Sequence, residues 1–391
     1  MKICWIVPLI PGALLLTTAC GGGGEGGGGG VTTTTTTPVG AESTVLAAGY
    51  EHTCAVVKGG VQCWGDNYYG QLGNGETTDN RVPVRVKGLD SGVTAITAGE
   101  DHTCALVNGG VVCWGHNSEG QLGNGTTTDS LVPVPVQGLT GPVTGVAAAQ
   151  NHTCALAAGG VFCWGDNSDH QLGDGTTTDS PVPVAVPGLG GDVTALVAGE
   201  EHTCALVKGA VRCWGDNSNS QLGIEGAADS AVPVLIPGLD QGVTAIASGF
   251  DFLCAVRDGV VLCWGDNEDG QLGDGTTQDR ALPAPVLGLT GKVQSVTGGE
   301  DHACALVDGG AFCWGDNYFG QLGAPSSGDS HEAAPVVGLT SGVIAIAAGE
   351  NHTCALLNDG ARCWGSGSDG QLGHGSKEDS PVPVPVSPWA E

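Results

Sequence analysis

The triplet Cys-Trp-Gly begins at Cys63, Cys113, Cys163, Cys213, Cys263, Cys313 and Cys363, seven copies at an unbroken step of 50 residues. Nine positions before each stands a second cysteine: Cys54, Cys104, Cys154, Cys204, Cys254, Cys304 and Cys354. A fixed period of this length marks a chain that stacks one supersecondary unit on its neighbours, because a single unit cannot bury its own apolar face. The two cysteines outside the period, Cys4 and Cys20, lie in the first twenty residues.

Each cysteine pair reads as one hairpin. If Lys58-Gly59 are the two turn residues, Cys54 faces Cys63, and the same register puts Asn108-Gly109, Asp258-Gly259 and Asp308-Gly309 at the turn. Such dipeptides are the strongest short hairpin signal. Counting outward from the closing pair, Val57 with Gly60, places the cysteines at a non-hydrogen-bonded position, where α-carbons about 4.5 Å apart suit a disulfide. No Cys-x-x-Cys bite for a metal or a redox couple is present. Seven structural disulfides are therefore expected, each closing about ten residues and stabilising by roughly 2 to 3 kcal/mol.

Two more strands complete the repeat, one Ala-rich, as in VTAIASG at 243–249, and one alternating Val and Pro, as in VPVPV at 132–136. Pro133 and Pro135 share one parity, as do Pro283 and Pro285, so every missing donor points to one side, which must be an unpaired edge. About six residues separate a Val-Pro strand from the next Ala-rich strand, whereas some sixteen separate Cys-Trp-Gly from the next Val-Pro strand. Short connections usually join sheet neighbours. The expected blade is therefore Val-Pro, Ala-rich, His-Thr-Cys, Cys-Trp-Gly. The fold class is all-β: a seven-bladed β-propeller of four-stranded antiparallel blades over residues 44–391, closed by the C-terminal strand at 382–386 joining the first blade.

The chain's start is not part of that ring. Lys2 is followed by a mostly apolar run from Ile3 to Leu16 and by Thr17-Thr18-Ala19-Cys20. Residues 1–20 resemble a bacterial lipoprotein signal, which implies lipid attachment at Cys20. Thr17 stands where that signal usually has Leu, so cleavage after Ala19 and simple secretion is the alternative. Residues 21–43, GGGGEGGGGGVTTTTTTPVGAES, read as a flexible tether spanning on the order of 25 Å. The expected location is the cell envelope or cell surface, or else secretion, with the membrane touched only through the anchor.

Acidic residues outnumber basic ones 41 to 12, giving a net charge of −29. Such a field repels phosphate, so nucleic-acid binding is excluded.

The stretch GEDHTCALVNGGVVCWGHNSEGQLGNGTTTDSLVPVPV, residues 99–136, resembles the repeat of the regulator of chromosome condensation family, and the likeness extends over all seven units. The resemblance implies a seven-bladed propeller that binds partner proteins. The chain departs from the family's nuclear members in its export signal, its acidity and its cysteine pairs. A propeller of this kind also serves as an inhibitor of a secreted enzyme, which leaves inhibition as an alternative function.

Residues that recur in every copy read as structural. His52, His102, His152, His202, His302 and His352 share one slot with Phe252, which indicates packing rather than metal ligation. The GQLG turns and Trp64 with its equivalents read as turn and interblade packing. The Asp-rich runs, such as Asp174 to Asp179, lack the order of a calcium loop and are explained by Asx turns, so neither a metal nor a cofactor is expected. No Ser-His-Asp set, unique cysteine nucleophile or isolated carboxylate pair stands out, so no catalytic residue is assigned and the chain is read as a non-enzyme. A catalytic site assembled across blades is the remaining alternative. Charge collects instead at Glu100-Asp101, Glu200-Glu201, Asp251, Glu300-Asp301 and Glu350, an acidic crown expected at one end of the ring. Aromatic departures, Tyr68-Tyr69 and Tyr318-Phe319, lie at the same end. Aromatics beside charge favour partner surfaces. The expected partner is a protein with a basic or mixed-charge surface, or a glycan, bound by a monomer.

Overall fold

The computed structural model describes residues 45–388 except 227 and 327; the signal, Cys20 and the tether lie outside the described residues. The hairpin logic of the sequence appears directly in the backbone. Lys58 and Gly59 take φ of 53° and 79°, and Asn108 and Gly109 take 51° and 79°, the paired left-handed conformations of a two-residue turn. Cys54 then lies opposite Cys63 and Val57 opposite Gly60. All seven cysteine pairs form disulfides across their own hairpin, with α-carbons 4.1 Å apart.

Seven four-stranded antiparallel sheets result. In the first, an inner strand Val45–Ala48 pairs with His52–Val57, that strand with Gly60–Gly65, and the last with an outer strand Asn80–Arg85. The outer strand is paired on one side only, as the proline parity requires.

Its partner differs from the sequence expectation. The Val-Pro strand pairs with the Cys-Trp-Gly strand of its own repeat, so each blade coincides with one repeat. The C-terminal strand Ser380–Pro385 likewise completes the seventh blade beside Gly360–Gly365 and does not join the first blade. Two physical facts explain this. The long connection from 66 to 79 folds back on itself around the buried Asn67. Its Nδ2 donates to the carbonyls of Glu76 (3.0 Å) and Thr78 (3.1 Å), while its Oδ1 accepts from the Leu72 amide (3.0 Å). The short connection can also be the crossover. Four strands are about 14 Å across, and six extended residues reach roughly 20 Å.

Closure of the ring uses the bonds found at other junctions. Thr103 Oγ1 and Trp114 Nε1 donate to the Gln71 carbonyl of the preceding blade (2.9 and 2.8 Å). At the seam, Thr53 Oγ1 and Trp64 Nε1 donate to the Gln371 carbonyl (3.0 and 2.8 Å). The tight turn that presents the carbonyl needs glycine: Gly73 has φ of 63°, and a Cβ there would lie 2.7 Å from Trp114 Nε1. The tryptophans at all seven positions are fully buried.

Because the seam is an ordinary junction, Thr53→Val and Thr103→Val are expected to destabilise the ring to a similar extent, about 1 to 3 kcal/mol each, by leaving buried groups unpaired. Urea unfolding checks this, and a Thr53→Val loss much larger than that of Thr103→Val would single out the seam.

Candidate partner-binding face

The loop before each His-Thr-Cys strand and the long connection after each Cys-Trp-Gly strand meet at one end of the ring. The Asp66 amide donates to the Glu51 carbonyl, and His116 to Asp101 repeats the bond one blade on (both 2.9 Å). This end therefore carries the acidic crown and both aromatic pairs.

The crown is organised in two concentric rings. Nearest the axis, the slot held by Glu100, Glu200, Glu300 and Glu350 is occupied elsewhere by Tyr50, Gln150 and Phe250. Tyr50 and Phe250 stack across the axis, centroids 4.4 Å apart at 22°, in a small recess of about 80 Å³ at the axis. Gln150 Nε2 donates to Glu200 Oε1 (2.7 Å), and Asn351 Nδ2 to Glu300 Oε2 (3.1 Å). Sequence reading missed the Tyr50–Phe250 pair, although its signal was available as a break in a Glu slot.

The second ring is Glu51, Asp101, Asn151, Glu201, Asp251, Asp301 and Asn351. Glutamines of the preceding Gln-Leu-Gly turns hold several of these side chains. Gln71 Nε2 donates to Asp101 Oδ1 (2.8 Å), Gln221 to Asp251 (3.0 Å) and Gln271 to Asp301 (2.9 Å). Asn151 takes the same bond from Gln121 at 3.0 Å.

Apart from the exposed Glu51 these carboxylates are half-buried, and among the described residues no Lys or Arg pairs with them; the ion pairs lie elsewhere. Burial first, then repulsion from neighbouring acids, raises their pKa values: to about 7 at Asp101, Glu201 and Glu350, about 6 at Asp251 and about 8 at Asp301. Glu100, Glu200 and Glu300 are raised for the same leading reason.

The aromatic pairs divide by exposure. Tyr68 and Tyr318 are 70% and 80% exposed, whereas Tyr69 and Phe319 are half-buried, Tyr69 leaning on His116 with centroids 4.3 Å apart. Each exposed ring meets its neighbour edge-on, at 4.8 and 4.9 Å. The Tyr68–Tyr69 pair belongs to the first blade and the Tyr318–Phe319 pair to the sixth, so the seventh blade separates them around the rim.

The histidine slot lies beneath this face and is structural. His52, His102, His152, His302 and His352 are fully buried, and Nε2 of each meets a threonine of the next blade at 2.8 to 2.9 Å. Thr103 gives its hydroxyl hydrogen to the Gln71 carbonyl, so it must accept from His52, which fixes the Nε2–H tautomer. Departures are compensated locally. Where the fifth blade has Leu253 instead of threonine, His202 Nε2 meets Ser248 Oγ instead (2.8 Å). Where Phe252 replaces histidine, the next blade has Ala303, packed in the same cluster. Burial lowers these histidines to about 3 or 4.

The structure is thus a seven-bladed ring of this repeat with one carboxylate-rich face. A profile described as the RCC1-like domain matches residues 107–390, and profiles of the regulator of chromosome condensation repeat match residues 58–106 and 44–71. The chain belongs to the regulator of chromosome condensation family. Human WBSCR16 is similar in structure, with 25% identity, 83% of this chain and 92% of that chain covered, and a TM-score of 0.74. Prp20p from Saccharomyces cerevisiae has 23% identity over 87% of this chain and 86% of its own, with a TM-score of 0.75. The ectodomain of the Arabidopsis thaliana receptor kinase ACR4 has 24% identity over 83% and 96%, with a TM-score of 0.52. Comparison with curated protein sequences returns no match.

The raised carboxylates and the lowered histidines oppose each other in pH dependence. The folded chain binds the extra carboxylate protons between the unfolded values near pH 4 and the folded values of 6 to 8, so that contribution is full in acid and is lost as the pH rises. The histidine contribution is full above about pH 6.5 and is lost as the pH falls toward 4. The two contributions therefore oppose each other between about pH 4 and 6.5, and only the carboxylate loss continues above that range. Asp301→Asn, which reproduces the residue of the third and seventh blades, should raise the melting temperature by about 2 °C at pH 8, roughly 1 kcal/mol, and by less at pH 5, nearer the unfolded value at which the effect vanishes. Paired thermal melts at the two pH values check the sign.

Proposed function

We propose that the chain is an exported binding module that engages a basic or mixed-charge protein surface through the acidic, aromatic-bearing face. The observation that carries this reading is the set of half-buried carboxylates on most blades of that face, none of them paired with a Lys or Arg among the described residues. Native proteins seldom keep such charge unpaired, since it costs stability as a folded ring. A cationic partner would recover that cost. Exposed Tyr68 and Tyr318 supply rigid apolar contact beside the charge.

Family membership supports a binding role. Prp20p is described by its binding to Gsp1p and histones, and a yeast complex of Kap60 with Prp20 is known. The seven disulfides support an oxidising compartment, where such bonds persist. The signal-like residues 1–20 and the tether at 21–43 support attachment at Cys20, holding the face free to orient.

Charge should govern encounter and the aromatics residence. The partner is to be isolated by crosslinking in low salt from the native surface or medium, then measured kinetically with the purified ring. Glu200→Gln with Glu201→Gln should slow association by about threefold to tenfold and flatten its salt dependence. Tyr68→Ala with Tyr318→Ala should speed dissociation by about tenfold. Partner binding that ignores both pairs, but responds to substitutions in the GLTG loops at the opposite end, would assign the function to the other face. Turnover of a substrate by the purified ring would favour the enzymatic alternative.

A further inference from the structure

The end of the ring opposite the acidic face is built from the two-residue hairpin turns and the short crossovers between blades. The ring also begins there. Val45 opens the first inner strand opposite Val56, just before the Lys58-Gly59 turn. Residues 21–44, which join the ring to Cys20, therefore lead to this end.

Its charge is unlike that of the acidic face. Arg85 pairs with Asp90, Lys208 with Asp192 and Arg362 with Asp359. The other aspartates of these turns and crossovers, Asp240, Asp258 and Asp308, are outnumbered by Lys58, Lys87, Arg257 and Lys292, and no glutamate occurs in them. The acidic excess of the chain lies away from this end.

The same end carries an apolar sector, visible as breaks in the repeat. Leu287 and Val337 occupy a crossover slot that holds Lys87 and Gln137 in the first two blades. Ile344 stands near the start of an inner strand, where Thr94, Thr144 and Thr194 stand in earlier blades. Val260 follows a hairpin turn where Gly60, Gly110 and Gly160 stand in the first three. These four side chains are 41 to 48% exposed. In the same sector an apolar cleft of about 440 Å³ lies between the fourth and fifth blades, lined by Pro237, Leu262, Leu282, Pro283 and Pro285. Arg257 borders the cleft and donates to the Gly238 carbonyl.

We propose that this end of the ring docks on the bilayer that carries the lipid at Cys20, with Val260, Leu287, Val337 and Ile344 at the boundary of headgroups and acyl chains and with Arg257 and Lys292 at lipid phosphates. Two observations commit the sector to lipid. The chain leads out of the ring at this end, so an anchored ring presents it to the membrane. Its cations suit anionic headgroups, whose attraction acts within a screening length of the surface. Strands of six residues set the two ends about 20 Å apart, more than twice the screening length of about 8 Å at physiological salt. The acidic face is thus too far away to repel the bilayer. The tether keeps the ring beside the surface, so a contact too weak to hold a free protein suffices. Docked in this way, the ring turns its acidic face outward to its partner.

The oxidised chain starting at Gly21 keeps all seven sheets and disulfides but has neither leader nor lipid. Flotation with mixed phosphatidylethanolamine and phosphatidylglycerol vesicles at low salt tests the proposal. The chain should float with these vesicles, and less with pure phosphatidylcholine. Leu287→Gln, Val337→Gln and Ile344→Thr together use residues that other blades carry in the same slots, so the fold is kept. This triple variant should lower the bound fraction about tenfold or more. Val132→Asp, on the outer strand of the second blade, should leave it unchanged. A chain that does not float, a triple variant that floats equally well, or a Val132→Asp loss as large as that of the triple variant would overturn the docking. So would a dimer, seen by analytical ultracentrifugation and abolished in the triple variant, which would give the sector to a second copy. The orientation rests on the proposed attachment at Cys20, but vesicle binding by the unlipidated chain needs neither that attachment nor a protein partner. Failure here would leave the proposed binding through the acidic face standing.

Discussion

The glutamine carbonyl of the GQLG turn holds the ring together. It points into the next blade and receives that blade's tryptophan indole, as with Gln71 and Trp114 at 2.8 Å, and in most copies its threonine hydroxyl too. The same residue's side chain reaches up to the acid above, as Gln71 Nε2 does to Asp101. One residue thus satisfies the buried donors of the interior and positions the carboxylates of the surface. Leaving such donors unpaired in a desolvated junction would cost more than any single apolar contact there returns. The positive φ of Gly73, the burial of Trp114 and the tautomer of His52 all follow from presenting that carbonyl.

The disulfides act on a different level. They lie within hairpins, so they stabilise blades and leave the junctions to hydrogen bonds and packing. Each core cluster accordingly combines the cystine of one blade with the tryptophan of the next, such as Cys54 and Cys63 with Trp114. A blade too thin to bury a core alone is held in shape covalently, and its apolar face is then covered by its neighbour.

Much of this was legible in the sequence, for identifiable reasons. Hairpin register, cystine pairing and the edge strand follow from local rules: two-residue turns, pairing parity and the missing proline donor. Blade boundaries do not, because loop length alone favours the wrong one of two partners for the Val-Pro strand. The deciding contact is the side chain of Asn67, which turns a long connection into a compact one, and its hydrogen bonds are invisible to a count of residues. At the acidic face, the acidic slots and exposed Tyr68 and Tyr318 could be placed from the period alone. Half-burial of the carboxylates and the Tyr50–Phe250 stack across the axis could not, since each joins residues from different blades. The exceptions were readable only as pairs: Phe252 with Ala303, and His202 with Ser248, are substitutions that make sense once the junction is known.

A sheet that begins and ends within one repeat has a consequence for descent. Many closed rings share a strand between their ends, so that loss or gain of a unit by recombination leaves a torn sheet at the join. Here unequal crossing-over between copies would add or delete one complete blade, cystine included, and every remaining sheet would stay whole. The near identity of the fifty-residue step across the chain is what such a history of whole-unit duplication would leave. Geometry at the axis, where small residues such as Ala48, Ala98 and Ala148 converge, would then decide which copy numbers can close.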